Sequence, residues 1–340
     1  MAMDRDVSEP GARDRAGRAW WWGVPALVLL AVVLAVVATR AAMLWANHPA
    51  YPLTLLAAAV LAGVVGGLGW RRRTRTTTPA RIVGRVAGAL ALVVLAAGLW
   101  WLRSAPAEPV ALDAVSAPVS SPAGSAGAEG AYDVEVTQSR TRIEFRPVSP
   151  DQPEYRPSTG WVFWPGALVD PRAYSALLRR VAADGVLVVV VKEPYDIGFL
   201  DPDAASSVLA AHPEVPDWYV GGHSLGGVVA ASYAANHRDS VTGLVLWASY
   251  PAGDLSQELA GARVLSVSAS SDGLTTVADV EESRANLAAD TEFVVVEGAV
   301  HSYFGDYREQ RGDGTPTVPR DVAQAEIVAV TAAFFTDAQM

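Results

Sequence analysis

The first hundred residues carry three long apolar stretches separated by short polar segments. Residues 20–39 contain no charged side chain, and further apolar stretches cover residues 51–70 and 86–102. Each is close to the ~20 residues that an α-helix needs to cross ~30 Å of hydrocarbon. Tryptophan and tyrosine at the ends of the stretches are typical of the headgroup layer. The pattern predicts three transmembrane helices, and therefore a lipid bilayer as a partner.

A cleaved signal peptide is the alternative for the first stretch. Its apolar core is longer than the ~7–15 residues of a signal sequence, and no clear cleavage site of small residues follows it. No Asp, Glu or Lys lies inside any of the three stretches, which does not favour a transport pathway. We therefore interpret them as an anchor.

Arginines indicate the orientation of this anchor. Four arginines precede the first stretch, within residues 1–19, and six lie between the second and third stretches. The other two ends carry only Arg40 and Arg103. Because cytoplasmic loops are enriched in Lys and Arg, residues 1–19 are predicted to be cytoplasmic. The C-terminal part is then predicted to lie outside the cytoplasmic membrane.

The segment that follows the third stretch has a different composition. Residues 103–131 consist mainly of Pro, Ala, Ser and Gly, with few large apolar side chains. Such a segment buries too little apolar surface to fold by itself. We predict a flexible linker that leads to a catalytic domain over residues 132–340.

The pattern of this domain alternates short apolar runs with helical stretches. Period-two alternation on both sides of a polar turn predicts a β-hairpin over residues 132–147. Apolar runs that predict buried strands follow at residues 161–164, 186–191, 218–220, 241–247, 264–269 and 293–296. Buried strands that alternate with helices predict an α/β fold with a mostly parallel, doubly wound sheet. In such sheets the chemistry lies at the carboxyl ends of the strands.

One strand end carries the sequence Gly222-His223-Ser224-Leu225-Gly226, which matches the nucleophile elbow G-x-S-x-G. The flanking glycines are needed because the turn is tight, and the turn exposes the serine hydroxyl at the N-terminus of the next helix. A glycine-lined turn with a helix-capping serine is the plainer alternative.

A serine nucleophile needs a base, and the base needs an acid that fixes its tautomer. In this fold they follow the serine in the order acid, then histidine. Asp272 comes three residues after the end of one predicted strand, and His301 comes five residues after the end of the next. For Asp272 a turn or capping role is the alternative, and Asp306 is the second candidate for the acid.

The oxyanion formed in acyl transfer requires two N–H donors. The backbone N–H of Leu225, the residue after the nucleophile, is predicted to be one of them. The second is predicted in the loop after the first parallel strand, at Ala167 or the adjacent Gly166. A simple Pro-Gly turn at this loop is compatible with that role.

Taken together, these residues resemble the α/β-hydrolase superfamily, and in particular its dienelactone-hydrolase-like branch, the α/β-hydrolase fold-5 type. The likeness covers residues 132–337 and rests on the segments GGHSLGG, FWPGALVDPRAY, LVLWASYP, SSDG, GAVHSYFGDY and the trailing GDG. Dienelactone hydrolases use a cysteine nucleophile, whereas this chain contains no cysteine, so their substrate is not implied.

Larger relatives insert a cap domain after the strand that ends at Trp247. Here only residues 248–263 connect it to the next strand, which predicts a shallow site with little or no cap. Candidates for its lining, each with a core position as the alternative, are Tyr195, Phe199, Trp247, Tyr250, Tyr303 and Phe304.

Charge and composition exclude other functions. Residues 132–340 carry 14 basic and 29 acidic side chains, which argues against nucleic acid as a partner. The five scattered histidines show no metal-binding spacing, and we expect no metal and no cofactor. The sequence therefore predicts a serine hydrolase acting on a small ester or thioester substrate. A catalytically silent binding module and an amide or peptide hydrolase are the alternatives.

Overall fold

A computed structural model of the chain describes residues 20–71, 79–119, 132–149, 151–152 and 154–337. The chain divides into two compact units. The first comprises the chain up to Leu44 together with Ala50–Arg103, and the second comprises Trp45–Pro49 together with Ser104 and all later residues. The tail predicted to be cytoplasmic, residues 1–19, lies outside the described residues, as do residues 72–78 of the arginine-rich loop.

The first unit contains three long apolar helices, α1 (Trp20–Ala46), α2 (Ala50–Arg71) and α3 (Pro79–Trp101). Their most apolar parts have mean hydropathies of 2.5, 1.9 and 2.2 and lengths of 24, 19 and 20 residues, which suffice to cross a membrane. Within this unit the Tyr51 hydroxyl donates a hydrogen bond to the Leu99 carbonyl at 2.6 Å.

Two of these helices are longer than the apolar stretches predict. Helix α1 continues past Arg40 to Ala46, and α3 begins at Pro79 rather than at residue 86. Arginine is a good helix former, and proline suits the first turn of a helix. The predicted boundaries followed hydropathy, which marks the extent of the apolar stretch and not the extent of the helix.

The second unit is built on one eight-stranded sheet in the order β1-β2-β4-β3-β5-β6-β7-β8. Strands β1 and β2 form the predicted antiparallel hairpin, β2 also pairs antiparallel with β4, and the remaining pairs are parallel. The strands are β1 (Asp133–Gln138), β2 (Arg142–Val148), β3 (Thr159–Trp164), β4 (Leu187–Val191), β5 (Asp217–His223), β6 (Gly243–Trp247), β7 (Arg263–Ala269) and β8 (Glu292–Val296). The predicted mostly parallel α/β sheet is confirmed.

Helices cover both faces of this sheet, because its central strands are apolar on both sides. All side chains of β3, β4 and β6 are buried. One core contains side chains of α5 and α9, and the other contains side chains of α6 and α7. The helices of this unit are α4 (Pro109–Ser116), α5 (Ser175–Ala183), α6 (Ala204–Ala211), α7 (Leu225–Asn236), α8 (Val277–Ser283) and α9 (Arg320–Asp337).

The prediction of a flexible linker over residues 103–131 is wrong for its first part. We call residues 104–116 the strap, because they are ordered and pack against the rest of the second unit. Ala105 forms a parallel bridge with Val169: its N–H donates to the Leu168 carbonyl at 2.7 Å, and its carbonyl accepts from the Asp170 N–H at 2.9 Å. Residues 120–131 lie outside the described residues.

Further contacts of the strap explain how a segment with few apolar side chains becomes ordered. The N–H of Glu108 donates to the Asp306 carbonyl at 2.8 Å, and its carboxylate pairs with Arg320 at 2.8 Å. Ala111 of α4 is fully buried, and Arg179 of α5 donates to the Ala114 carbonyl at 3.1 Å. Composition predicted disorder because these stabilising groups belong to other parts of the chain.

A second short segment also belongs to this unit. Residues Trp45–Pro49, which join α1 to α2, contact the loops after β3 and β4. The Asn47 amide donates to the Asp170 carboxylate at 3.1 Å. The Lys192 ammonium donates to the Ala46 carbonyl at 2.8 Å, and burial lowers the pKa of Lys192 to about 7.

Candidate active site

The nucleophile elbow lies at the carboxyl end of β5, in the middle of the sheet. Ser224 separates β5 from α7 and has φ 53° and ψ −125°, a left-handed conformation that costs ~1–3 kcal/mol in a residue other than glycine. A Cβ at Gly222 would come within 2.5 Å of the Trp164 carbonyl oxygen, and one at Gly226 would overlap the same oxygen. Both glycines are therefore required by backbone-to-backbone contact with the end of β3.

Neighbouring groups hold the strained serine in place. Its N–H donates to the Trp247 carbonyl at 3.0 Å, and its carbonyl accepts from the Ser249 hydroxyl at 2.7 Å. Two bonds on one residue compensate for part of the conformational cost. The elbow is thus braced by β6 and the residues that follow it.

Asp272 and His301 form a buried pair at the ends of β7 and β8. The distance from His301 Nδ1 to Asp272 Oδ2 is 2.8 Å, and both side chains are almost completely buried. The other carboxylate oxygen of Asp272 accepts from the N–H groups of Leu274 and Thr275, each at 2.7 Å. A carboxylate beside Nδ1 requires the proton on that nitrogen, so Nε2 carries the lone pair.

The imidazole of His301 lies next to the elbow. The ring centroids of His301 and His223, the residue before the serine, are 4.5 Å apart. Nε2 of His301 is buried and has no hydrogen-bond partner among the described residues. A ring nitrogen with an unshared lone pair beside a strained serine is suited to act as a general base.

Asp306, the second candidate for the acid, has a different environment. Its carboxylate accepts from the Gln324 amide at 3.1 Å, and burial raises its pKa. The carboxylate bonded to His301 is that of Asp272.

Tyr174 links the elbow to the loop after β3 in a way that sequence reasoning did not identify. The Gly166 N–H donates to the Tyr174 hydroxyl at 2.9 Å, and this hydroxyl lies 2.9 Å from His223 Nδ1. Burial and the neighbouring His301 lower the pKa of His223 well below its usual value, which favours the neutral ring. The tyrosine hydroxyl therefore donates to Nδ1, and the proton of His223 is on Nε2.

This network corrects the prediction for the oxyanion donors. The N–H of Gly166 is bonded to Tyr174 and does not serve as a free donor. Leu225 is the first residue of α7, where an N–H has no acceptor inside its own helix. Neither its N–H nor that of Ala167 donates a backbone hydrogen bond within the part of the chain that the structure describes. Leu225 and Ala167 remain the candidate pair.

Replacing Tyr174 with phenylalanine should lower kcat about 10-fold and leave KM unchanged. The change leaves the Gly166 N–H and His223 Nδ1 unpaired, which frees the loop that carries Ala167. We expect a smaller effect than the direct loss of an oxyanion donor, which costs about 10²–10³ in kcat. Steady-state kinetics on a p-nitrophenyl ester measure the effect. Tyr219→Phe is the control, because the buried Tyr219 hydroxyl has no partner among the described residues. Equal kcat for both variants would contradict the prediction.

The predicted lining residues divide into two groups. Trp247 is fully buried and donates through Nε1 to Thr331 of α9 at 3.1 Å, while Phe304 stacks on His223. Tyr303 is also part of this core, so the lining prediction is wrong for these three aromatic residues. Trp247 ends β6 and the other two lie in the 3₁₀ helix after β8, and both places are covered by the core. The other three, Tyr195, Phe199 and Tyr250, are partly or largely exposed.

No site for a metal ion is evident in the described ranges. Within these residues, no group of three or more His, Asp or Glu side chains converges in a way that could hold a metal ion.

A comparison with protein families agrees with this fold. A sequence model described as the alpha/beta hydrolase family matches residues 160–325, a range that contains the elbow, Asp272 and His301. A comparison with curated proteins gave no match.

The solved structures that are similar to this chain include three hydrolases. A predicted CIB-like hydrolase from Thermoplasma acidophilum has 16% identity and a TM-score of 0.42, covering 61% of this chain and 99% of its own. An alpha-beta serine hydrolase homologue from Coxiella burnetii has 15% identity and a TM-score of 0.41, covering 59% and 96%. A candidate dienelactone hydrolase from Klebsiella pneumoniae has 18% identity and a TM-score of 0.43, covering 58% and 96%.

The family match falls within the second unit and includes the strand ends that carry the site. Residues 160–325 therefore belong to the alpha/beta hydrolase family, and the chain is a hydrolase with that fold.

Proposed function

We propose that the chain is a membrane-tethered serine hydrolase that cleaves carboxylic esters or thioesters. Ser224 is the nucleophile, His301 the general base and Asp272 the acid that orients it. The observation that supports this assignment best is the buried Asp272–His301 hydrogen bond of 2.8 Å beside the elbow, with Nε2 of His301 unpaired. A carboxylate and an imidazole in this arrangement raise the reactivity of a serine hydroxyl.

The reaction proceeds in two halves. His301 Nε2 takes the proton of Ser224 as the hydroxyl oxygen attacks the carbonyl carbon, and the resulting oxyanion accepts from the N–H groups of Leu225 and Ala167. The tetrahedral intermediate collapses, the bond to the leaving alcohol or thiol breaks, and His301 returns the proton to it. Water then attacks the acyl-serine with the same base, which releases the acid and restores the hydroxyl.

The three apolar helices are the evidence for the proposed membrane tether. Arginines flank the ends that the positive-inside rule places in the cytoplasm, so the catalytic unit lies outside the cytoplasmic membrane. The packing of Trp45–Pro49 in the catalytic unit agrees with three spans, because two spans then separate this loop from that unit. A loop that is bound to the catalytic unit has to be on the same side of the membrane as that unit.

One labelling experiment tests both the chemistry and the orientation. Spheroplasts that express the full-length protein are treated with a membrane-permeant or a charged, impermeant fluorophosphonate, and the modified residue is located by mass spectrometry. We expect both probes to label Ser224 in the wild type and in Ser207→Ala, an exposed control serine in α6, and neither to label Ser224→Ala. Labelling by the permeant probe alone would contradict the orientation, and absence of labelling by both would contradict the serine nucleophile.

A further inference from the structure

Asp313 holds the turn that presents the base. This short 3₁₀ helix, His301–Phe304, begins at the base itself. The carboxylate of Asp313 accepts from the N–H of His301 at 3.0 Å with one oxygen and from the N–H of Ser302 at 2.9 Å with the other. The first N–H groups of a helical turn have no acceptor within it, so a carboxylate from elsewhere satisfies them.

The residues on both sides of Asp313 pack against the loop that carries the acid. A Cβ at Gly314 would overlap the Ser271 carbonyl, and one at Gly273 would come within 2.5 Å of the Gly312 carbonyl oxygen. Gly312 itself has a φ of +94°, which favours glycine. The two loops are therefore in backbone-to-backbone contact on both sides of Asp272.

We propose that Gly312-Asp313-Gly314 is a clamp that sets the geometry of the Asp272–His301 pair, with Asp313 as its positioning residue. The clamp contacts the acid loop through its glycines and the backbone of the base through the Asp313 carboxylate. One segment therefore links the acid and the base, which follow different strands. Asp313 touches neither the serine nor the reacting atoms; it acts through the backbone of His301. The inference rests on the proposed function, since the pair it positions is the proposed acid and base.

Kinetics of the full-length protein in detergent test the clamp. Asp313→Asn keeps the size of the side chain but replaces one of its two acceptor oxygens with an NH₂ group. That NH₂ group then faces the N–H of His301 or Ser302, and the hydrogen bond at that position is lost. We expect kcat to fall about 10- to 100-fold with little change in KM, since a displacement near 1 Å costs about 10²-fold. Asp290→Asn is the control, because it makes the same charge change at an exposed turn before β8. A kcat for Asp313→Asn within twofold of Asp290→Asn would overturn the proposal.

A double-mutant cycle separates positioning from a general loss of structure. If Asp313 acts through the acid–base pair, its substitution has little further effect once Asp272→Asn has disabled that pair. We therefore expect Asp313→Asn to lower kcat less than threefold in the Asp272→Asn background. The same 10- to 100-fold loss in both backgrounds would mean that Asp313 acts independently of the pair, which overturns the proposal.

A spectroscopic measurement keeps the proposal testable if no ester is hydrolysed. The proton between His301 Nδ1 and Asp272 gives a downfield NMR resonance, which disappears in His301→Gln. We expect Asp313→Ala and Asp313→Asn to broaden or shift it, with thermal melting showing that the fold is kept, and Asp290→Asn to leave it unchanged. An unaltered resonance in both Asp313 variants overturns the clamp, whereas absence of fluorophosphonate labelling in the wild type counts only against the proposed function.

Discussion

Replacing Asp272 with asparagine should lower kcat about 10⁴-fold while the fold is retained. The reason lies in the two N–H groups of Leu274 and Thr275, which both point at Oδ1. An asparagine amide places its oxygen there, so its NH₂ group faces His301. His301 Nδ1 then has to accept a hydrogen bond, and its proton moves to Nε2. In that tautomer the imidazole cannot take the proton of Ser224.

Asp306→Asn is the matched control for this prediction. Asp306 is also a buried aspartate at the same edge of the sheet, but its partner is Gln324. We expect kcat of this variant to stay within about threefold of the wild type, since no hydrogen bond of His301 changes. Steady-state kinetics with circular dichroism on both variants provide the comparison. A larger loss for Asp306→Asn than for Asp272→Asn would show that the acid is wrongly assigned.

The prediction of the elbow, the acid and the base depends on local sequence. The elbow is a strand that ends in a glycine and a histidine, followed by the serine and then by a helix. The acid and the base each follow an apolar run. In a parallel sheet these strand ends meet at one edge, so the topology brings Asp272 and His301 together without any knowledge of side-chain packing. The observed 2.8 Å bond between them is the consequence.

The residues that were missed or wrongly placed depend on contacts between distant segments. The Tyr174 hydroxyl accepts the Gly166 N–H that was predicted to bind the oxyanion. This contact forms only when the residues after β3 fold back over their own strand. Trp247 looked like a lining residue because it ends a strand, but its position is determined by α9, more than 80 residues later. The sequence pattern around a residue does not identify contacts with residues that are distant along the chain.

The strap is a whole segment whose order could not be predicted from its own sequence. Its composition predicts disorder, yet the ordering groups are the backbone at Leu168 and Asp170 and the carbonyl of Asp306. One of these loops immediately follows Ala167, and the other immediately follows the turn that carries His301. The strap therefore braces both sides of the candidate site.

A soluble fragment of residues 132–340 should be less stable than one of residues 104–340. Three backbone hydrogen bonds join the strap to the two loops, and at ~1 kcal/mol each they contribute about 3 kcal/mol to the free energy of unfolding. For a domain of this size this corresponds to a decrease in Tm of roughly 6–12 °C. Because the loop that carries Ala167 is also freed, we expect kcat to fall about 10-fold. Both fragments lack Trp45–Pro49, so the comparison isolates the strap.

A third fragment separates the strap from chain length. Residues 120–340 retain the segment before β1 but lack the strap, and they should behave like residues 132–340 in thermal melting and in ester hydrolysis. Within the 104–340 fragment, Ala105→Pro removes the N–H that donates to Leu168 and should reproduce part of the loss. If the strap stabilises the two loops, its removal has to lower the Tm, the kcat or both. Equal Tm and equal kcat for the 104–340 and 132–340 fragments would therefore mean that the strap lies on the catalytic unit without stabilising it.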